Sequence, residues 1–282
     1  MASLSIIKRK IRSVRNTRQI TKAMQMVEAS KLRKTQAAAN APKDYTEAAR
    51  ELLDRLSGET LARLNPLFRE RPVKRALTIV IAGDRGMAGA YNSNALKALG
   101  LHIGETKAQH SAICIGRRAG TYVSRASDID EIASYEIDGG DADTAIARPV
   151  LEEVLDLFLS EKIDQVHMIY TRFESMVKQE VEVRQLIPVV TQSEARGPLE
   201  YEPEPEELVE FAVRRVLEAD ITQAILESRA SENAARMVAM MNATDNADDL
   251  IGDYTLALNN ARQASITQEI AEISGGAEAI TQ

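Results

Sequence analysis

The sequence predicts an α/β protein in which a long antiparallel coiled coil of N- and C-terminal helices carries an inserted α/β domain. Three observations predict it. Residues 3–57 contain no Gly and a single Pro, Pro42. From Pro205 to Ser274 there is one Gly, Gly252, and no further Pro. Between these stretches, short β-rich runs alternate with helix-forming ones. Breaker-free segments of that length exceed by several fold the globular helix norm of about 11–12 residues. A helix so long needs another beside it, and two at opposite chain ends pair most simply antiparallel. The chain divides into an N-terminal shaft helix over 1–57, an inserted α/β lobe with its linkers over 58–204, and a C-terminal shaft helix over 205–282.

In the N-terminal helix Leu4, Ile7, Ile11 and Val14 share one face. Ile20, Met24, Val27, Ala38, Ala41, Tyr45, Ala49, Leu52 and Leu56 fall on another, about half a turn away. Spacings of three and four mark an amphipathic helix, about 80 Å long at 1.5 Å per residue. Gly58, Asn65 and Pro66 close it.

In the middle, residues 77–82 (LTIVIA), 112–116 (AICIG), 132–137 and 166–170 (VHMIY) read as strands. Helical stretches around 94–101 and 142–159 separate them, which is the alternation of a Rossmann-like, largely parallel sheet. Residues 177–190 read as an antiparallel edge strand. A linker over 191–205, with Pro198, Pro203 and Pro205, leads into the C-terminal helix.

That helix opens with Glu206 and Glu207, whose carboxylates suit a helix N-terminus. Three stripes follow: Ala230, Ala234, Met237, Met241; then Ala247, Leu250, Tyr254, Ala257, Ala261; then Ile266, Ile270, Ile273, Ala277. Their steps are coiled-coil spacing, but the stripes rotate between segments and predict a seam that is not one unbroken heptad. The C-terminal helix is the longer one and is expected to protrude alone, with Gly275 and Gly276 letting its last turn fray.

Composition limits the function. The 282 residues are 44% hydrophobic but only 4% aromatic, with no Trp, which is the texture of long helices rather than of a ring-filled core. No run approaches the roughly 20 apolar residues of a membrane span, and the N-terminus carries no apolar signal core. A single cysteine, Cys114, excludes an internal disulfide or a multi-cysteine metal site and suits a reducing compartment. His102, His110 and His167 are scattered, so no histidine site is expected.

The net charge of −7 conceals an asymmetry. Residues 1–75 carry 18 Lys and Arg against 7 Asp and Glu, and the first 34 residues hold ten bases and one acid, Glu28. Lys8, Arg9, Arg12, Arg15, Arg18 and Lys22 spread around the helix instead of forming one stripe. Nucleic-acid binding would bring a reading motif or stacking aromatics, and neither is present. An acidic protein collar around the helix fits the all-round distribution better.

Candidate chemistry is sparse. Gly83-Asp84-Arg85-Gly86-Met87-Ala88-Gly89 follows a strand and precedes a helix, as phosphate loops do. It is neither a Walker loop nor a clean dinucleotide fingerprint, and the second strand ends in Gly116-Arg117-Arg118 with no acid for a ribose. A tight strand-to-helix turn accounts for it. Met24, Met26, Met237, Met240 and Met241 at helical spacing are packing filler rather than metal ligands. Asp128, Asp130, Glu131, Asp138, Asp141 and Asp143 lack a calcium-loop pattern. No nucleophile and base are paired, so neither catalysis nor a cofactor is expected.

Ile20-Thr21-Lys22-Ala23-Met24-Gln25-Met26-Val27, followed by Ala29-Ser30-Lys31-Leu32-Arg33-Lys34, resembles the N-terminal signature of F-type ATP synthase γ subunits. Asn260-Ala261-Arg262-Gln263-Ala264-Ser265-Ile266-Thr267-Gln268-Glu269-Ile270 matches their C-terminal signature, preceded by Ala235-Arg236-Met237-Val238-Ala239-Met240 and Ala243-Thr244-Asp245-Asn246. Asp84-Arg85-Gly86 and Tyr201-Glu202-Pro203 also stand where the family places them, and the likeness spans the whole chain.

The resemblance implies a rotor shaft inside a ring of α and β subunits, with the lobe outside it on the ε subunit and the c-ring. It implies that Met24 and its basic neighbours Lys22, Lys31 and Arg33 meet an acidic lever segment of a β subunit. Arg262, Gln263 and Thr267 would contact a loop of the ring, and Tyr201 and Glu202 would lie near the foot on the c-ring. It implies a non-catalytic subunit of a proton-translocating complex, peripheral on the cytoplasmic side of a bacterial inner membrane. Met87-Ala88-Gly89-Ala90 departs from the family's more usual Leu-Cys-Gly-Gly. The two-cysteine insertion of the chloroplast type is absent, and the start at Met1 gives no sign of a transit peptide. The competing reading is a non-rotary coiled-coil adaptor for acidic proteins or nucleic acid.

Overall fold

A computed structural model describes residues 2–42, 45–46, 48–51, 53, 65–137, 141–190 and 205–281. The expected closure of the first helix at Gly58 and the linker over 191–204 lie outside these. The elements in chain order are α1 (Ala2–Asn40), a 3-10 turn (Pro66–Phe68), β1 (Arg75–Ile81), α2 (Tyr91–Glu105), β2 (Gln109–Ile115), α3 (Arg117–Val123) and β3 (Ile129–Tyr135). A second 3-10 turn (Asp141–Ile146), α4 (Ala147–Leu159), β4 (Gln165–Phe173), β5 (Gln179–Ile187) and α5 (Pro205–Thr281) complete the chain. Two compact units divide it, Met1–Glu28 with Met237–Gln282, and Ala29–Arg236.

The first unit is an antiparallel helix pair. Arg18 pairs with Asp248, Thr21 Oγ1 meets Thr244 Oγ1 at 2.8 Å, and Lys10 lies 5.5 Å over the Tyr254 ring. Residue numbers that rise on one helix as they fall on the other define the antiparallel sense. Within the first 28 residues of α1, Leu4, Ile7, Ile11, Val14, Arg18, Thr21, Gln25 and Glu28 are buried or half-buried, with Met24 half-buried beside them. On α5 the buried or half-buried positions include Met237, Met240, Thr244, Ala247, Ile251, Tyr254, Leu258, Ala261 and Ser265. Both series step three and four without a break, which is an unbroken heptad.

This corrects two expectations. The seam does not rotate between segments. It keeps its register by passing through polar side chains that find polar partners across the interface. Ile20 and Val27, grouped with an inward face by their spacing, are more than half exposed, as are Met26 and Tyr45. At the far end, α5 stays helical through Gly275 and Gly276 to Thr281.

The second unit is built on a five-stranded sheet of order β3-β2-β1-β4-β5, in which only β5 runs antiparallel to its neighbour. The predicted strands and the antiparallel edge are all present. Leu77, Ile79 and Ile81 point to one face and pack with Val150, Val154 and Phe158 of α4 and Val213, Val216, Leu217 and Ile221 of α5. Val80 and Ala82 point to the other, where α2 and α3 cover Ala112, Cys114 and Ile169. Alternation along one strand thus feeds two cores, as parallel sheets covered on both sides require. Arg50 Nη2 donates to Asp220 Oδ1 at 2.5 Å. Burial pushes the Asp220 carboxyl up and the Arg50 guanidinium opposes that shift. Cys114 is fully buried in β2, and burial, with Glu131 second, raises its thiol to about 12. It is a packing residue at neutral pH.

Candidate functional site

In a sheet of this order a ligand crevice opens where the chain reverses direction, beyond the C-terminal ends of β1 and β4. In this protein the crevice is filled by the chain itself. The Gly83 amide donates to Asn92 Oδ1 at 2.8 Å, and Asn92 Nδ2 donates to the Arg85 carbonyl at 3.2 Å. Asp84 spends both carboxylate oxygens on backbone amides, Arg117 N at 2.6 Å and Ile137 N at 2.9 Å. It thereby ties the loop after β1 to the start of α3 and the end of β3. From α5, Arg236 pairs with Glu232 and donates from Nε to the Gly86 carbonyl at 3.2 Å. A Cβ on Gly83 would stand 2.5 Å from Glu232 Oε1, so the glycine admits this carboxylate. Ser228 and Ser231 of α5 bond the Thr171 amide and carbonyl at 3.2 and 3.1 Å.

A carboxylate lies where a phosphate would have to sit, and the Gly83 amide already has an acceptor. We therefore expect no stoichiometric binding of ATP or NAD at micromolar concentration. Isothermal calorimetry on the full chain checks this, and a saturable one-to-one isotherm would refute it. Only the folded helix brings Glu232 and Arg236 to the loop.

Beside the filled crevice, Lys31, Lys34, Arg85, Arg229 and Arg236 line a concave cleft with Asp84 and Glu232 as its acids. Among the described residues, five cations against two carboxylates suit an anionic partner. Of the residues expected on the basic surface, Lys31 belongs to this cleft and Arg33, also exposed, lies outside its lining. Arg85 and Arg229 are additions that the N-terminal charge run alone could not have assembled.

Lys22 is exposed and donates to Gln25 Oε1 at 3.2 Å, and Met24 is half-buried beside the seam. The helix pair exposes Ile20, Met26 and Val27 on α1 and Leu256, Ile266, Ile270 and Ile273 on α5. Arg262, Gln263 and Thr267 are exposed as well, with Thr267 Oγ1 donating back to the Gln263 carbonyl at 2.9 Å. Ala257, placed on a seam stripe by its spacing, is exposed. The inward face uses Tyr254, Leu258, Ala261 and Ser265 instead. Tyr201 and Glu202 lie outside the described residues. Among the described residues no helix is long and apolar enough to cross a membrane.

Comparison with known proteins covers the whole chain. The family model described as ATP synthase matches residues 3–280. The ATP synthase gamma chain of Moorella thermoacetica is 38% identical over 282 residues, 99% of this chain and 100% of its own. That of Dehalococcoides mccartyi strain BAV1 is 42% identical over 289 residues, with the same coverage. Among solved structures, a chain of the Euglena gracilis mitochondrial ATP synthase, in an assembly of OSCP, F1 and c-ring, superposes with a TM-score of 0.70 at 20% identity. It covers 99% of this chain and 95% of its own. A chain from the central stalk and c-ring of the Tetrahymena thermophila enzyme gives 0.63 at 22% identity, covering 79% of this chain and 99% of its own.

Proposed function

The chain belongs to the ATP synthase family, and from that premise we propose that it is the γ subunit, the central shaft that couples rotation of a c-ring to the catalytic α and β subunits. The unbroken antiparallel heptad with apolar and basic side chains left outward carries this reading, because it is a stiff helix pair whose outer surface differs from side to side. A shaft can bias a surrounding site only by contacting one of its conformations better than another. An asymmetric shaft turned within a ring of equivalent sites gives each site every contact in turn. The chain itself supplies no catalytic group. Its nucleotide-like crevice is filled from within, and its one thiol is buried and held protonated. The cationic cleft and the exposed Lys22, Lys31 and Arg33 meet acidic segments of the ring, with Met24 beside them. Tyr201 and Glu202 belong with the foot on the c-ring, where the ε subunit also binds. On this reading the protein is peripheral to the cytoplasmic face of a bacterial inner membrane and serves a proton-translocating complex.

Neutralising Lys22, Lys31 and Arg33 together to Gln tests the coupling role. Exposed charges contribute about 0–1 kcal/mol each to stability, so the complex should assemble. In reconstituted membranes ATP-driven proton pumping should fall several-fold relative to ATP hydrolysis. Unchanged pumping at wild-type hydrolysis would remove the electrostatic role.

A further inference from the structure

The three histidines of the chain, His102, His110 and His167, converge in the fold, contrary to the expectation from their scatter.

 His167 stands 57 residues after His110 and 65 after His102. The His102 and His167 rings meet edge to face with centroids 4.4 Å apart. His110, almost fully buried, bonds through Nε2 to Thr106 Oγ1 at 2.9 Å. His110 and His167 lie on the face of the sheet covered by α2, where β1 places Ala76 beside His110 and Thr78 beside His167, and His102 closes over them from the end of α2. Thr78 Oγ1, His110 Nδ1 and His167 Nδ1 are buried without a hydrogen-bond partner. Among the described residues no group of three or more His, Cys, Asp or Glu side chains is arranged to hold a metal ion, so the chemistry open to the cluster is acid–base.

We propose that this cluster is an acid-sensitive latch, in which protonation of an imidazole forces the end of α2 away from the sheet, so that the second unit is firm at neutral pH and loosens when its surroundings acidify. The surroundings offer a new cation little compensation. Glu105 on α2 favours protonation of His102 alone. β1 presents Thr78, β5 places Gln185 opposite His167 in register, and β3 places Ile129 opposite His110. Glu131 of β3 acts on Cys114, farther along the same face.

Burial draws the His167 imidazole down to about 4, and His102 and His110 add to the effect. His102 is lowered by burial and then by His110, with Glu105 opposing. The unfolded chain, whose imidazoles titrate near pH 6.5, therefore binds more protons than the folded one between about pH 6.5 and 4. The contribution to stability is fully present above pH 6.5, shrinks as pH falls through that window and is lost below it. One such proton changes the folded-to-unfolded ratio by at most about tenfold per pH unit, and the partial exposure of His167 reduces that figure.

With only three histidines in the chain, each imidazole can be followed by NMR in the full chain labelled at histidine. The His167 signal should titrate below about pH 5. Amide exchange at the starts of β2 and β4, corrected for intrinsic chemistry, should report local opening that rises about tenfold between pH 7 and 5. His167→Phe should remove most of that rise, and His102→Gln, at a half-buried position that tolerates change better, should lessen it. Three signals all titrating near 6.5, or an equal rise in wild type and both variants, would overturn the proposal. If His167→Phe does not fold, His102→Gln decides alone.

Discussion

Replacing Gly116 by alanine should destabilise the second unit by about 3–5 kcal/mol, a size reserved for strained or overpacked sites. Gly116 follows β2 with φ at +98°, a backbone region that side chains rarely enter. A Cβ there would stand 1.9 Å from the Ala82 carbonyl oxygen and 2.7 Å from its carbon. Neither strand end can retreat. The Gly116 amide donates to the Tyr135 carbonyl at 2.7 Å, Ala82 N donates to the Ile115 carbonyl at 2.9 Å, and Arg118 N donates to the Gly83 carbonyl at 3.1 Å. Gly104, inside α2 with nothing within 4 Å of a new Cβ, is the control. Alanine there should stabilise the helix by up to about 1 kcal/mol. Denaturant unfolding of the full chain compares them, and a Gly116→Ala protein as stable as the Gly104→Ala protein would contradict the packing argument.

Substituting Arg262, Gln263 and Thr267 together by Ala should leave the complex assembled while lowering ATP hydrolysis and synthesis several-fold or more. All three are exposed on α5, and Gln263 and Thr267, four apart, share one side of it. The half-buried Ala261 and Ser265 bracket Gln263 on the opposite side, so the polar pair faces outward. Arg262 lies about 100° round the helix and offers a planar fork suited to a carboxylate. Each hydrogen bond to a charged group contributes roughly 1.5–3 kcal/mol, enough to favour one angle of the shaft over its neighbours. Because these side chains bury nothing within the chain, their removal should act on turnover rather than on folding. Wild-type rates in the triple variant would show that they only solvate the helix.

The strands were legible because each is a short run of β-branched and aliphatic residues between turn signals, and the two long helices because they lack breakers. The seam was misread in part. Apolar spacing alone picks out Ile20 and Val27 and passes over Arg18 and Thr21, yet the latter two are turned towards the partner helix, which brings Asp248 and Thr244 to meet them. The seven-residue helix α3, with Gly120 at its centre, is too short for periodicity to register. Its place depends on Asp84, 33 residues upstream, capping its first amide. The expected surface residues Lys22, Lys31, Arg33, Arg262, Gln263 and Thr267 are solvent-facing, since charge and amide side chains at such spacing announce themselves. The closure of the crevice by Glu232 and the meeting of the histidines arise only from tertiary approach, and no local pattern encodes them.

The polar pairs within the helix seam also act as an index. Leu4, Ile7, Ile11 and Val14 would accept new aliphatic neighbours if one helix slid past the other by a heptad, because such contacts are non-directional. Thr21 and Thr244 close their bond in one alignment only, and although each hydroxyl also reaches a carbonyl of its own helix, a slipped pair forfeits the cross-helix bond, about 0.5–1.5 kcal/mol. Load applied along the axis therefore meets a keyed joint instead of a greased one, and the two strands of the shaft must twist as a single body.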